Sequence, residues 1–176
     1  MLSILRQRAP LVALGALLLP GCRDGAGWRS VEAATRQRYP DVARVSADSL
    51  AVRLARGPAP ILVDVRTAGE YAVSHLAGAR RVEPNAPASA LAGVPKDADI
   101  VVYCSVGARS SAFAGRLMEA GYTRVANLDG SIFRWANEGR AVVRDGRPVR
   151  EVHPYDRLWG RLLDRKLHAY RPGEAG

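Results

Sequence analysis

Cysteine is scarce in this 176-residue chain. Two residues, Cys22 and Cys104, cannot build a disulfide framework. Histidine is nearly as scarce. His75, His153 and His168, with no CxxC pair beside them, leave little material for a structural zinc site. Aromatic residues make up only 6%, which argues against a stacking platform for single-stranded nucleic acid. Long apolar runs are missing as well. The run from Ala9 to Pro20 (APLVALGALLLP) falls well short of the ~20 residues that cross a bilayer.

Apolar residues reach 48%, so a real core can form and wholesale disorder is excluded. The length suits one domain of ordinary size with some chain left over. Twenty-six basic side chains against 17 acidic ones give +9, a balance that invites a guess at nucleic acid or an anionic surface. The position of the charge argues against the first. Nine lysines and arginines against five acids fall in residues 140–176, so the excess reads as a tail feature plus attraction for anions, and no nucleic-acid partner is expected.

Residues 1–21 read as an address. Arg6 and Arg8 without an acid, a short apolar stretch and a small residue at the end describe a secretory signal, while Pro10, Gly15 and Pro20 disfavour a buried helix. Leu19-Pro20-Gly21-Cys22 resembles the lipobox of bacterial lipoproteins, although Pro20 is an unusual occupant of its position. That resemblance implies acylation of Cys22, a membrane anchor, and a periplasmic or envelope location. The alternative is a plain signal peptide cleaved nearby.

Residues 22–41 read as a linker (23–29) and a short helix (30–38) stopped at Tyr39-Pro40. Ser46 caps a helix to about Arg56, with Asp48 in its first turn and Gly57 past its end. The β-branched runs 61–65 and 100–103 read as buried strands, as do 124–128 and 141–143. Thr67-Ala68-Gly69-Glu70 fits a capping box. Residues 109–120 and 130–138 read as helices closed by Gly121 and Gly139. Alternating strands and helices predict an α/β domain over 42–143, its mostly parallel sheet of about five strands flanked by helices.

The chemistry concentrates where the run 100–103 meets Cys104. A cysteine between a buried strand and a helix, across a turn holding Gly107, lies at the edge where parallel sheets bind ligands. Turn amides, the helix N-terminus and Arg109 all favour thiolate over thiol. A thiolate in a cradle of donors is a nucleophile.

Cys104-Ser105-Val106-Gly107-Ala108-Arg109 resembles the six-residue active-site loop of rhodanese-type sulfurtransferases. Upstream, Leu62-Val63-Asp64-Val65-Arg66, Glu70-Tyr71 and His75-Leu76-Ala77-Gly78-Ala79 follow the family's order and spacing; downstream, Gly121-Tyr122, Asn127 to Gly130 and Trp135 do the same. Ser74 and Ala77 depart from it, where glycine and proline are common. The resemblance implies a rhodanese-like domain in which Cys104 forms a persulfide by a mechanism that needs no metal and no organic cofactor. The amides of Ser105, Val106, Gly107, Ala108 and Arg109 would hold the terminal sulfur, and Arg109 would seat an anionic donor. Asp64 would brace the loop by hydrogen bonding. Arg66 and Glu70 would be scaffold partners, His75 a structural residue and Trp135 a core residue near the site. Partners would be a small sulfur donor (thiosulfate or a persulfide) and a thiophilic acceptor (cyanide or a thiol, possibly on a protein).

Two other classes compete. Phosphatases of similar fold space their Cys and Arg one residue further apart, and the shorter loop here suits a single sulfur better. Rhodanese-like modules also serve as non-catalytic binding or sulfur-carrier domains, but those often lack the cysteine. Ser105 and Val106 add no positive charge to the loop, so thiosulfate is expected to be a poor donor. Residues 144–176 form a basic extension outside the family core. Arg157, Arg161 and Arg165 fall four apart, beside Leu158, Leu162 and Leu163, and predict a helix whose leucines dock on the domain. The alternative is a helix lying on an anionic membrane.

Overall fold

Ile100–Tyr103 (β4) is apolar at every position because both faces of the sheet it centres are covered. Residues 25–174 are described in the computed structural model; residues 1–21, read above as a signal, and Cys22 lie outside them. In chain order the elements are α1 (Gly25–Arg38), β1 (Ala43–Val45), α2 (Ala47–Arg56), β2 (Ile61–Asp64), α3 (Ala68–Val73) and β3 (Arg80–Arg81). There follow β4, α4 (Ala108–Glu119), β5 (Val125–Leu128), α5 (Ser131–Asn137), β6 (Val142–Arg144) and β7 (Arg147–Val149). The main sheet has five strands in the order β1-β5-β4-β2-β3, all parallel.

The two-residue period of the strands divides the core. Leu62, Val101, Tyr103 and Leu128 face α2 and α5, meeting Leu50, Ile132 and Phe133. Val63, Ile100, Val102 and Val125 face the other way, onto Phe113, Ala114 and Leu117 of α4. Each such side chain contributes about 1.5–3 kcal/mol by leaving water. Cys104 belongs to the second face, which aims it toward the start of α4. Local signals hold the helices in place. The Ser46 side chain accepts from the Ser49 amide to cap α2, and Thr67 and Glu70 form the complete capping box of α3.

The structure departs from the sequence reading at the edges. The linker read over 23–29 is already helical from Gly25, because Trp28 and Val31 of α1 pack against the core. The run at 141–143 does form a strand, but β6 pairs antiparallel with β7 in a separate hairpin and takes no place in the main sheet. Its two-residue turn uses Asp145 (φ 51°) and Gly146 (φ 73°), the positive-φ pair that suits a tight hairpin. The outer places of the sheet go to β1 and β3, three and two residues long and bearing Arg44, Arg80 and Arg81. Strands this short carry no periodic signal, and their charges blunt the exposed edges.

The helix expected across Arg157, Arg161 and Arg165 is absent. That stretch holds two 3-10 turns, Trp159–Leu162 and Arg165–Leu167. Asp156 accepts from the Leu158 and Trp159 amides at 2.8 Å each, and Asp164 caps the second turn, so side chains compete with the helical pattern. Leu162 and Leu163 are buried while Leu158 is exposed. The tail is tied down by reciprocal backbone bonds of Val152 with Leu167 and Ala169, and by Asn137, which bonds Leu162 O and the Asp164 amide.

Phe113→Ala, at a fully buried site on α4, should lower the unfolding free energy by about 3–5 kcal/mol in urea titrations. Val52→Ala, on an exposed position of α2, should change it by less than about 0.5 kcal/mol.

Candidate active site

Cys104 follows β4 directly and is almost wholly buried. Its Sγ accepts a hydrogen bond from the Gly107 amide at 3.1 Å. Gly107 caps α4 with φ 110°, a conformation that L side chains rarely adopt. A Cβ there would also meet Asn127 Nδ2 at 3.2 Å, a tight contact that would press on the amide bonded to Gly107 O. The start of α5 fixes the loop from behind. Ser131 Oγ accepts from the Cys104 amide, while the Ile132 and Phe133 amides donate to the carbonyls of Cys104 and Ser105. Gly107 O is in turn taken by the Ser111 amide and Asn127 Nδ2.

Burial pushes the Cys104 thiol up, but the Arg109 guanidinium, the Ser110 hydroxyl and amide and the Gly107 amide outweigh it, and the pKa falls below its ordinary value. Ser110 Oγ is buried and makes no hydrogen bond of ordinary geometry, yet it lies close enough to favour the thiolate. The N-terminal dipole of α4 acts in the same direction.

Glu70 holds the other side of the loop. Its carboxylate accepts from Arg109 Nη1 and Nη2 at 2.9 and 2.7 Å, from Ser105 Oγ at 2.9 Å, and from the Thr67 amide and hydroxyl. Arg109 Nη2 also reaches Ser105 Oγ at 2.9 Å. Burial raises the Glu70 carboxyl, but hydrogen bonding and charge from Arg109, with help from Thr67 and Ser105, bring it down to about 2. The reading of Glu70 as scaffold is thereby sharpened: the capping residue of α3 is also the counter-ion of the loop arginine.

Asp64 does not brace the loop as expected. At the end of β2 it turns to Arg66, accepting from its amide, Nε and Nη2 at 2.6–3.1 Å. Arg66 Nη2 also bonds Ser74 O, so the pair secures the turn after α3. The physical reason is proximity: two residues on, a fully buried guanidinium needs a carboxylate more than the loop does. His75 stacks on Tyr71 with ring centroids 3.8 Å apart, and its backbone pairs with Val143, a structural placement. Trp135 sits in the core and donates to Ala141 O, away from Cys104.

A cavity of about 100 Å³ opens over the thiol, lined by Cys104, Ser105, Val106, Ala108, Arg109, Tyr155 and Trp159. Tyr155 and Trp159 come from the C-terminal extension. Tyr155 lays its ring 4.7 Å from the Arg109 guanidinium carbon. Sequence reasoning had singled out neither, nor Ser110 and Ser131. The two serines left a faint sign, small hydroxyl residues just inside glycine-capped helix starts; the aromatic pair left none, since its place depends on how the tail folds back.

Residues 46–138 match the rhodanese-like domain family, and the chain belongs to it. It is 38% identical over 102 residues to a sulfurtransferase of Allochromatium vinosum, covering 58% of this chain and 95% of that one. It is 32% identical over 84 residues to the thiosulfate sulfurtransferase GlpE of Pseudomonas aeruginosa, covering 48% and 76%. Among solved structures, the rhodanese-like domain of the Anabaena sp. Alr3790 protein aligns with a TM-score of 0.53 at 28% identity, covering 58% of this chain and 80% of that one. Tyr155 and Trp159 lie beyond the matched residues.

Two outcomes follow for the charges. Glu70 has a folded pKa of about 2 against an ordinary 4.5, so acid protonates it first in the unfolded chain. Its stabilisation is whole above 4.5 and lost as pH falls toward 2. The gap between wild type and Glu70→Gln in urea unfolding should therefore be wide at about pH 7 and close at about pH 2; an unchanged gap would show that the ion pair contributes nothing. The thiolate absorbance lost in Cys104→Ser should titrate below the ordinary range of a free thiol, and in Arg109→Gln it should titrate higher.

Proposed function

We propose that the protein is a sulfurtransferase that carries sulfane sulfur on Cys104. One observation carries the reading: a buried cysteine at the end of the central strand, its Sγ held 3.1 Å from the Gly107 amide, with its pKa lowered by the surrounding charge and donors. Sulfurtransferase relatives of 38% and 32% identity support the same class.

The Cys104 thiolate attacks the outer sulfur of the donor. A new S–S bond forms to Cys104 and the donor's own S–S bond breaks. Thiosulfate leaves sulfite; a hydropersulfide R–S–SH leaves the thiolate RS⁻. The outer sulfur of the enzyme persulfide then sits among the amides at the start of α4. An acceptor, cyanide or a thiolate, attacks that sulfur, leaves as thiocyanate or a new persulfide, and returns Cys104 as thiolate. Donor product departs before acceptor enters, so ping-pong kinetics are expected. Amide donors and a lowered thiol pKa stabilise both resting and loaded forms, and the cycle uses no general base.

Intact-mass measurement after exposure to thiosulfate or to an organic persulfide should show a gain of one sulfur atom. The gain should vanish on adding cyanide and should be absent in Cys104→Ser. A protein that gains no sulfur from any donor is not a sulfurtransferase of this kind, and the carrier-free binding role would then stand.

A further inference from the structure

The outer wall of the Cys104 cavity is made by Tyr155 and Trp159, which belong to the C-terminal extension and not to the family domain. This placement is built, not incidental. Tyr155 holds φ 67°, an unusual value for a large side chain, and its amide donates to His153 Nδ1 at 3.0 Å. Gly160 lies against Pro154 and His168 so closely that a Cβ there would stand 3.0 Å from the Pro154 Cβ and 3.3 Å from the His168 Cε1. Val152, Leu162, Leu163 and Leu167 are buried in the core beneath. A strained backbone persists only where its surroundings over-determine it. Here they fix the Tyr155 backbone, from which the ring reaches over Arg109.

The charge in the cavity points the same way. Arg109 is the one cation among the described residues lining it, and both of its terminal nitrogens already bond Glu70. Its face is covered by Tyr155. The remaining walls are Ser105, whose hydroxyl is already given to Glu70, and Val106, Ala108, Trp159 and the ring of Tyr155. With Glu70 ionised and Cys104 as thiolate, a dianion such as thiosulfate meets a compensated arginine and a like charge. An apolar group bonded to the donor sulfur meets two aromatic rings.

We infer that Tyr155 and Trp159 are specificity-determining residues that select sulfur donors whose leaving group carries an apolar organic substituent, over inorganic thiosulfate. This rests on the sulfurtransferase reading above. Benzenethiosulfonate is a suitable probe beside thiosulfate, since both react by the same bond change. The Cys104 thiolate bonds the outer sulfur, the donor S–S bond breaks, and benzenesulfinate leaves in place of sulfite. Charge balances in each case, and no oxidant or reductant is consumed.

The test compares kcat/KM for the two donors with one common acceptor, using the full chain, Tyr155→Ala, Trp159→Ala and Tyr155→Phe. Wild type should prefer benzenethiosulfonate by about tenfold or more, the range that apolar contacts in a pocket supply. Each alanine variant should lose most of that preference through a higher KM for benzenethiosulfonate, and Tyr155→Ala, which uncovers Arg109, should use thiosulfate no more slowly than wild type. Tyr155→Phe should keep it. Thermal unfolding checks that the variants fold; the half-exposed Tyr155 ring carries the test if Trp159→Ala does not. A wild type without the preference, or alanine variants that slow both donors equally, would overturn the inference while leaving sulfur transfer intact. Failure of both donors to load Cys104 would overturn the sulfurtransferase reading and this one with it.

Discussion

Turning backbone amides toward one sulfur forces the neighbouring carbonyls the opposite way, and much of the structure around the loop answers that demand. Buried carbonyls must find donors. Those of Cys104 and Ser105 find the amides of Ile132 and Phe133, which stand at the start of α5 and need acceptors of their own. Gly107 O takes Asn127 Nδ2 and the next turn of α4. Cradle and backing are thus one hydrogen-bond exchange between two helix starts. The positive φ of Gly107 lets the chain make the turn in so few residues.

A second constraint concerns charge. A guanidinium beside a thiolate lowers the thiol pKa, yet a partly buried guanidinium also needs a carboxylate. Glu70 meets that need without approaching the sulfur, because its capping role at α3 has already fixed where it stands. The cost is that Arg109 brings less free charge to the pocket than its position beside the nucleophile implies. Asp64 and Arg66 form a separate closed pair on the neighbouring strand, so the two ion pairs do different work: one shapes the loop, the other the turn after α3.

What the sequence made legible was whatever local chemistry writes into consecutive residues. The run 100–103, the glycine at 107 and the helix behind it announced the strand, turn and cysteine together. Thr67 and Glu70 announced the cap. The same local view misassigned Asp64, since nothing in its neighbours says whether a buried carboxylate turns to the loop or to the arginine two residues on. It passed over β1 and β3, whose lengths leave no period to read, and it gave 141–143 to the wrong sheet. In the tail, arginines spaced four apart suggest a helix, while Asp156 and Asp164, whose side chains compete for the backbone amides there, carry no weight in a reading based on that spacing. Tyr155 and Trp159 were silent for another reason: their neighbours at the site lie some fifty residues earlier in the chain.

That separation has a consequence for the order in which the molecule is made. Chains are synthesised from the N-terminus, and early segments fold while later ones are still to come. The sheet, the cradle and its backing helix are all encoded before residue 138, whereas the aromatic wall begins at Tyr155. The cradle of the nucleophile is therefore written into the chain ahead of the wall that covers it, and a stretch that emerges later closes the cavity.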